Sequence, residues 1–531
     1  MEPTYDVAVV GFGPSGAVAA SLLAQAGLET YVCDRSREVY PKPRAIALDH
    51  EVMRTFQELG IVRDIEPWIE PLTPSEYFGV DGTLIRRMTM VEPPYPQGYT
   101  PSLVFTQPPV EAALRAHATS RSGVTVDLGS TLTGLQQDES GVTLVIGCED
   151  KGSRRVRARY VIGCDGASST VRTLMGIDLE DLAFDEPWLV VDVRVNERGL
   201  AKLPRTSVQY CEPDRPCTMV IGPGNHRRWE ISLHADEDPE EVATPARSWQ
   251  LLSRWLDPED GELWRQASYQ FHALVAREWR RERVFIAGDA AHQQPPFLGQ
   301  GMCQGLRDVK NLTWKLVTVA SGTVSGAAAD RLLDSYGAER KAHVRELTTR
   351  IKAIGAVIGE RDPRKAKARD ARLLAECGGV VRDTPRQDVL PRLSHGLFSM
   401  RDRDANGVLF PQPRLVTPGG SMLMDERFGC GWRLVVDASL ESAARAATSA
   451  HSDIALVVLP SDESRETEGV VAAWMVRHRC RAALVRPDHY VFGVARDDLE
   501  LAQLVEERAR ALGREPERPA IAADRHLEEE A

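Results

Sequence analysis

No stretch of this sequence approaches the ~20 uninterrupted apolar residues that cross a bilayer as a helix, so no membrane span is expected. Met1–Asp6 has no basic segment, and the apolar stretch that follows is broken by glycines, so it does not read as a secretory signal. The nine cysteines are scattered, with no CxxC and no Cys/His spacing that would hold a metal. An odd, unpatterned set fits reduced thiols in a cytoplasm, most of them small buried hydrophobes. Positive charge is in deficit: 65 Lys and Arg stand against 77 Asp and Glu, for a net charge of −12. That argues against nucleic acid or an anionic membrane as a bulk partner, while leaving room for a local basic patch on a phosphate. There is no HExxH, no Walker loop and no GxSxG elbow, which removes zinc proteolysis, P-loop hydrolysis and serine-esterase chemistry. Internal repeats are also lacking.

What is present is a chain able to fold. Its 43% hydrophobic residues can fill sizeable cores, and 531 residues correspond to about three domains. The first segment reads strand, glycine turn, helix, strand: Asp6–Val10, then Ala17–Ala26, then Thr30–Cys33. A Pro-, Tyr- and Gly-rich stretch spans Leu72 to Gly98. Trp188–Val195, Ser207–Cys211, Cys217–Ile221 and Trp229–Leu233 alternate as strands, and with 72–97 they are expected to form one largely antiparallel sheet. Val284 to Ala320 returns to strand, turn and long helix. Residues 359–388 are dense in charge and read as exposed helix and linker. A separate unit follows, with strands at Trp432–Val436 and Ile454–Leu459. Ala482–Val485 and Tyr490–Val494 bracket a hairpin-like turn at Arg486–His489, and a helix starts at Asp498.

Three motifs carry the chemistry. Gly11-Phe12-Gly13-Pro14-Ser15-Gly16 is a GxGxxG between strand and helix, whose glycines let the backbone approach a pyrophosphate seated on the helix N-terminus. Asp34, followed by Arg35, ends the second strand where a carboxylate can take ribose hydroxyls. This motif alone does not separate FAD from NAD. The second is Val161 to Arg172, with Asp165-Gly166 at the end of an apolar strand. The third runs from Val284 through Gly288-Asp289 to Pro295-Pro296-Phe297-Leu298-Gly299-Gln300-Gly301-Met302. Either of the last two alone would read as a polar strand-to-loop junction; three such strand ends in this order are hard to explain as coincidence.

The trio resembles the FAD-binding signature of the class A flavoprotein aromatic hydroxylases, which share the p-hydroxybenzoate hydroxylase fold, over essentially residues 1–395. Pro43-Arg44-Ala45, Gln107-Pro108 with Glu111 and Leu114, and Asp308 to Leu316 fit as well. PRAIALDHEVMRTFQELGI and GQGMCQGLRDVKNLTWKL are most similar to the 3-(3-hydroxyphenyl)propionate hydroxylase branch. The resemblance implies an α/β fold: a Rossmann-like FAD-binding domain (1–71, 98–182 and 278–395), an inserted mainly antiparallel substrate domain (72–97 and 183–277), and a C-terminal thioredoxin-like domain (396–531). It implies non-covalent FAD, with Asp34 on the adenosine ribose, Arg44 and Gln107 on the cofactor, Asp289 on the ribitol, and Asp165 where FAD and nicotinamide both act. Pro296, Gly299, Gly301 and Met302 would bring a helix N-terminus to the flavin ring; such an end stabilises an adjacent negative charge by ~0.3–2 kcal/mol. NAD(P)H would dock transiently, because there is one GxGxxG only. O2 and a small phenolic substrate complete the implied reaction, through a flavin C4a-hydroperoxide, and a homodimer is the implied assembly. No WxWxIP marks a halogenase.

For the pocket, Tyr210, Tyr269, Phe271 and His272 come from the inserted sheet, and His50 follows a plausible helix cap at Asp49. His272 ranks first as a polar substrate contact; no motif selects among the others, and Pro296 contributes through its turn. The C-terminal unit holds one isolated thiol, Cys430, so dithiol chemistry is not expected there. An epoxidase or Baeyer–Villiger-type oxygenase on a polycyclic metabolite, and a non-catalytic flavin-binding scaffold, stand as alternatives.

Overall fold

The computed structural model describes residues 5–148, 152–401, 403–461 and 464–514. The N-terminal reading up to Thr4 and the tail 515–531 lie outside the described residues. Five parallel strands form the centre of an eight-stranded sheet, in the order Val284–Ile286, Gly152–Gly163, Tyr5–Val10, Thr30–Asp34, Val124–Leu128. Val7–Val10, Val161, Ile162 and Val284–Ile286 are all buried, as strands covered on both faces should be. The helix expected at Ala17–Ala26 runs Pro14–Gln25, starting directly from the glycine turn. Register aligns Val10 with both Gly163 and Cys33, and Gly163 with Ile286. The three motif loops therefore leave the same edge of the sheet side by side.

The inserted sheet has nine strands, with Leu179–Val195, His226–Ser232, Cys217–Ile221 and Ser207–Tyr210 adjacent in that order. Ser75–Phe78 and Leu84–Thr89, from the Pro-, Tyr- and Gly-rich stretch, extend it. One of its faces packs Val191, Val193, Trp229 and Ile231 into a separate apolar cluster. The opposite face looks toward the parallel sheet.

Two expectations need correction. The segment 359–388 is more than exposed helix and linker: Arg382–Pro385 pairs in parallel with Leu84–Thr89 and closes an edge of the nine-stranded sheet. Helix Pro363–Ala375 buries Arg369, whose guanidinium donates to the carbonyls of Val357 and Cys211. Its Nε also donates to the adjacent Asp370 at 2.8 Å, so the buried cation is satisfied by two carbonyls and a neighbouring carboxylate that the charged sequence does not single out.

The C-terminal unit is also less separate than expected. Its four-stranded sheet has the order Ile454–Leu459, Trp432–Asp437, Ala482–Val485, Val491–Ala495. Trp432, Leu434 and Phe492 join the same apolar core as the parallel sheet, and Trp432 meets Trp314 edge-on at 5.8 Å. Polar ties reinforce the dock. Arg54 is fully buried, with its guanidinium on Asp425 at 2.5 and 3.0 Å and on the Phe410 carbonyl at 2.7 Å. Cys430 lies near Glu58, and burial pushes its thiol up to about 12. A thiolate is the reactive form of cysteine, so this one is held inert near neutral pH.

Candidate functional site

The three motif loops and the polar face of the nine-stranded sheet enclose one cavity of about 1250 Å³. An ordinary small-molecule pocket holds ~300–1,000 Å³, so this one has room for a dinucleotide and a second ligand. The glycines of the first motif divide by function. A Cβ on Gly11, whose φ is +99°, would sit 2.3 Å from the Cys164 carbonyl oxygen, and one on Gly16 would sit 1.9 Å from the Gly11 oxygen. Gly13 has nothing within 4 Å. Gly11 and Gly16 are thus demanded by the turn itself, whereas Gly13 keeps open the space before the helix. That helix has no side-chain cap, and Gly13, Pro14 and Ser15 line the cavity. Asp34 is held at the strand end by backbone N–H groups of Phe12 and Ser36, each donating at 2.6 Å. Arg35 lines the cavity beside it.

A second helix N-terminus opens into the same space. Gly301–Ala320 begins without a side-chain cap, behind a turn in which the Gly299 N–H donates to the Pro296 carbonyl at 2.6 Å. Pro296, Gly299, Gly301 and Met302 all line the cavity. Two uncapped helix ends facing one void are suited to two negatively charged parts of a ligand. Gly288 adopts φ +62° and places Asp289 in the cavity without a partner among the described residues. Asp289 is open to cavity water yet ringed by protein; the resulting desolvation raises its carboxyl above the usual range, with His292 and Arg44 opposing. Asp165 is committed to the protein, accepting from Ser169 Oγ at 2.6 Å and the Val171 N–H at 3.0 Å.

Gln107 turns out to position rather than display. Its Oε1 accepts from the backbone N–H groups of Arg44 and Ala45 at 3.1 and 2.6 Å, and its Nε2 donates to Glu111 at 3.0 Å. The Arg44 loop is gripped from its other side by residues that the motifs did not reveal. Arg228 donates to the Arg44 carbonyl at 2.7 Å while its Nε binds Asp192 at 2.7 Å, and His226 holds the same carboxylate at 2.7 Å. Burial pushes Asp192 upward, but Arg228 and His226 outweigh it and hold the carboxyl low. Asp308, which the resemblance includes without giving it a role, is a second anchor. It accepts from the Gly288 N–H at 3.0 Å, from His292 at 2.7 Å and from Arg340 at 2.9 Å, fixing the turn that presents Asp289. Pairs separated by 16 to 36 residues leave no local pattern in a sequence.

On the sheet side, Tyr269 and Phe271 stack at 5.7 Å and 10°, and both line the cavity. His272 also lines it, half-exposed, with Nδ1 3.3 Å from Asp185. His50 does not. It is buried behind the cavity at the start of helix His50–Leu59, which Asp49 caps through the Val52 N–H as expected. Burial drives the His50 ring down to about 4, so it stays neutral and is not placed to touch a ligand. Tyr210 also falls outside, on the far face, accepting from Trp255 Nε1 at 2.9 Å.

Residues 4–351 match the family described as the FAD binding domain. The chain belongs to that family. Residues 407–511 match the HcaD C-terminal domain. Among curated relatives, a probable NADH-specific resorcinol 4-hydroxylase of Rhodococcus jostii (strain RHA1) is 38% identical, covering 97% of this chain and 96% of the relative. A 3-(3-hydroxy-phenyl)propionate/3-hydroxycinnamic acid hydroxylase of Mycobacterium avium (strain 104) is 34% identical over 80% of this chain and 75% of its own. These place the chain among the flavoprotein aromatic hydroxylases. The fold is shared with the flavin-dependent monooxygenase PieE, solved with FAD and substrate (TM-score 0.81, 22% identity, 97% and 100% of the two chains). Aklavinone-11 hydroxylase, solved with FAD and aklavinone, has TM-score 0.79 at 24% identity, over 97% and 100%. The donor set suits FAD: open Gly13, two uncapped helix ends, Asp34 for a ribose, and Asp289 for a polyol. Among the described residues no helix is long and apolar enough to cross a membrane.

Proposed function

We propose that this flavoprotein hydroxylates a phenolic aromatic ring, using NADH and O2 with one non-covalently held FAD. The observation that carries this reading is the single cavity running from the dinucleotide loops to the Tyr269–Phe271 wall, so that cofactor and an aromatic ligand share one enclosed space. Bound FAD would supply the redox chemistry, taking hydride from the nicotinamide and activating oxygen. Gly13 and the helix behind it would carry the pyrophosphate, Asp34 the adenosine ribose, and Asp289 the ribitol. Gly301 and Met302 would place a helix end against the flavin, and Pro296 would fix the turn before it. Arg44 and Asp165 would border the cofactor. Tyr269 and Phe271 would pack the substrate ring, with His272 as a polar contact. NADH is favoured by the NADH specificity for which the Rhodococcus relative is named, and it would dock only transiently, the one dinucleotide turn being taken by FAD. We assign the nine-stranded sheet to the substrate, give the C-terminal unit a thioredoxin-like fold, and expect a cytoplasmic homodimer.

Substrate-gated reduction tests this reading. Mixed anaerobically with NADH alone, the flavin should bleach slowly. A suitable phenol, with resorcinol as the first probe, should accelerate bleaching at least about tenfold, or ~1.4 kcal/mol of differential stabilisation. A panel of phenols that leaves the rate unchanged would remove the hydroxylase reading and keep the FAD assignment.

A further inference from the structure

The sheet face that lines the cavity is almost fully paired. Gln209 donates to Ser75 Oγ at 3.2 Å and accepts from Thr218 at 2.5 Å, while Ser207 Oγ meets Thr73 at 3.2 Å. Arg228 is spent on Asp192 and on the carbonyls of Arg44 and Pro43. Glu230 is the exception. It lies two residues from Arg228 on the same face, lines the cavity and is 6% exposed. Among the described residues its carboxyl has no hydrogen-bond or ion-pair partner. A carboxylate so far removed from bulk water and left unpaired is costly unless a ligand satisfies it.

The surroundings define what that ligand would be. Its cross-strand partners, Val190 and Thr218, bring no charge. The charged groups facing it are Arg228 on its own strand and Asp192 on the next; beyond them, strand Gly261–Ala276 brings Arg265, held by the Pro43 carbonyl. Among the described residues no cation lies within ion-pair distance of Glu230, and a neutral donor such as a hydroxyl fits it. Strand Gly261–Ala276 also carries the Tyr269–Phe271 stack against which a ring could lie.

We propose that Glu230 is the base of the hydroxylation, accepting the proton of the substrate's phenolic hydroxyl. The inference rests on the function proposed above. The phenolic O–H bond breaks and a carboxyl O–H bond forms. The electron pair stays on the substrate oxygen and feeds the ring, raising its nucleophilicity toward oxygen; nothing is oxidised or reduced in this step. The proton passes to cavity water as product leaves. Burial pushes the Glu230 carboxyl up to about 7, with Arg228 opposing and Asp192 adding to the rise. Against a phenol of pKa ~10, a base near neutrality is far better matched than an ordinary carboxylate. Because Glu230 acts ionised, activity should fall on the acid side of its pKa.

The test uses full-length, FAD-loaded protein, resorcinol, and ring-fluorinated, more acidic phenols, with product formed at saturating NADH followed from about pH 5.5 to 8.5. The wild type should lose rate below about pH 7. E230Q should be at least about 100-fold slower and lack that acid limb, with flavin content unchanged. Its deficit should shrink as the phenol becomes more acidic, which a purely structural role would not produce. E230Q running within a few-fold of wild type with the same acid limb would overturn the proposal. If E230Q fails to retain FAD, E230D decides: a slower enzyme that keeps the limb supports the assignment, and an undiminished rate or a missing limb overturns it. A wild type that oxygenates no phenol would instead sink the functional reading, and this proposal with it.

Discussion

Glu339→Ala should unfold in far less urea than the wild type, with a stability loss of about 3–5 kcal/mol, the usual result of breaking a buried ion pair from one side. Glu339 is fully buried in helix Gly326–Ile358. It accepts from Arg486 at 2.6 and 3.0 Å, from Lys315 at 2.8 Å, from Asn311 at 2.7 Å and from the Leu397 N–H at 2.9 Å. These donors come from the long helix behind the cavity, from the connection to the C-terminal unit and from that unit's hairpin. Alanine would leave two buried cations with Asp488 alone between them, which binds Arg486 at 2.6 Å. Burial raises the Glu339 carboxyl, but Arg486 and Lys315 more than reverse this and hold it below its usual 4.5. A depressed folded value means the stabilisation is whole above the unfolded pKa and drains away as pH falls through the folded one. The gap between wild type and variant should accordingly be widest near neutrality and narrow in acid. A loss below about 1 kcal/mol at neutral pH would show that the network does not hold the C-terminal unit in place.

Gly13→Ala should fold normally and come out nearly colourless. Its φ of −68° suits any residue, and no heavy atom lies within 4 Å of the added methyl, so the apoprotein has nothing to accommodate. The methyl would occupy the space that a pyrophosphate must enter to reach the helix end. FAD affinity should fall at least about 100-fold, roughly 2.7 kcal/mol, while the far-ultraviolet circular dichroism and the urea midpoint of apoprotein stay at wild-type values. Gly16→Ala is the contrasting control. There the new Cβ meets the Gly11 carbonyl oxygen at 1.9 Å, backbone against backbone, so folding and cofactor binding should fail together. Full flavin occupancy in Gly13→Ala would move the pyrophosphate elsewhere.

The features readable from sequence were those written in adjacent residues. A strand, a glycine turn and a helix within Tyr5–Gln25 specify their own geometry, so the dinucleotide turn and Asp34 were legible by pattern, while the Gly288-Asp289 strand end gained meaning only from the family resemblance. The alternation in 183–277 likewise identified a sheet, and Tyr269 and Phe271 do share a face. What stayed hidden depends on partners far apart in the chain. Arg228 and Asp192 belong to no local motif, yet they clamp the Arg44 loop from inside the protein. Glu230 escaped for the same reason: the apolar residues Trp229 and Ile231 pointed to the core, which leaves its polar face indistinguishable from a wet one. That face opens on a cavity instead of bulk water. His50 shows the opposite error, a chemically versatile residue whose tertiary surroundings remove it from the site. The docking of the C-terminal unit was illegible too, because Arg54, Asp425, Glu339 and Arg486 carry charges that are solvated by default.

The most direct measurement is the origin of the oxygen atom in the product. Full-length protein loaded with FAD would turn over resorcinol with NADH under isotopically labelled O2 in ordinary water, and the product would be weighed by mass spectrometry. The account predicts a product heavier by one oxygen atom, that atom carrying the label, with NADH consumed in proportion to product. An unlabelled oxygen drawn from water, or NADH consumption that yields only hydrogen peroxide with every phenol tried, would contradict it.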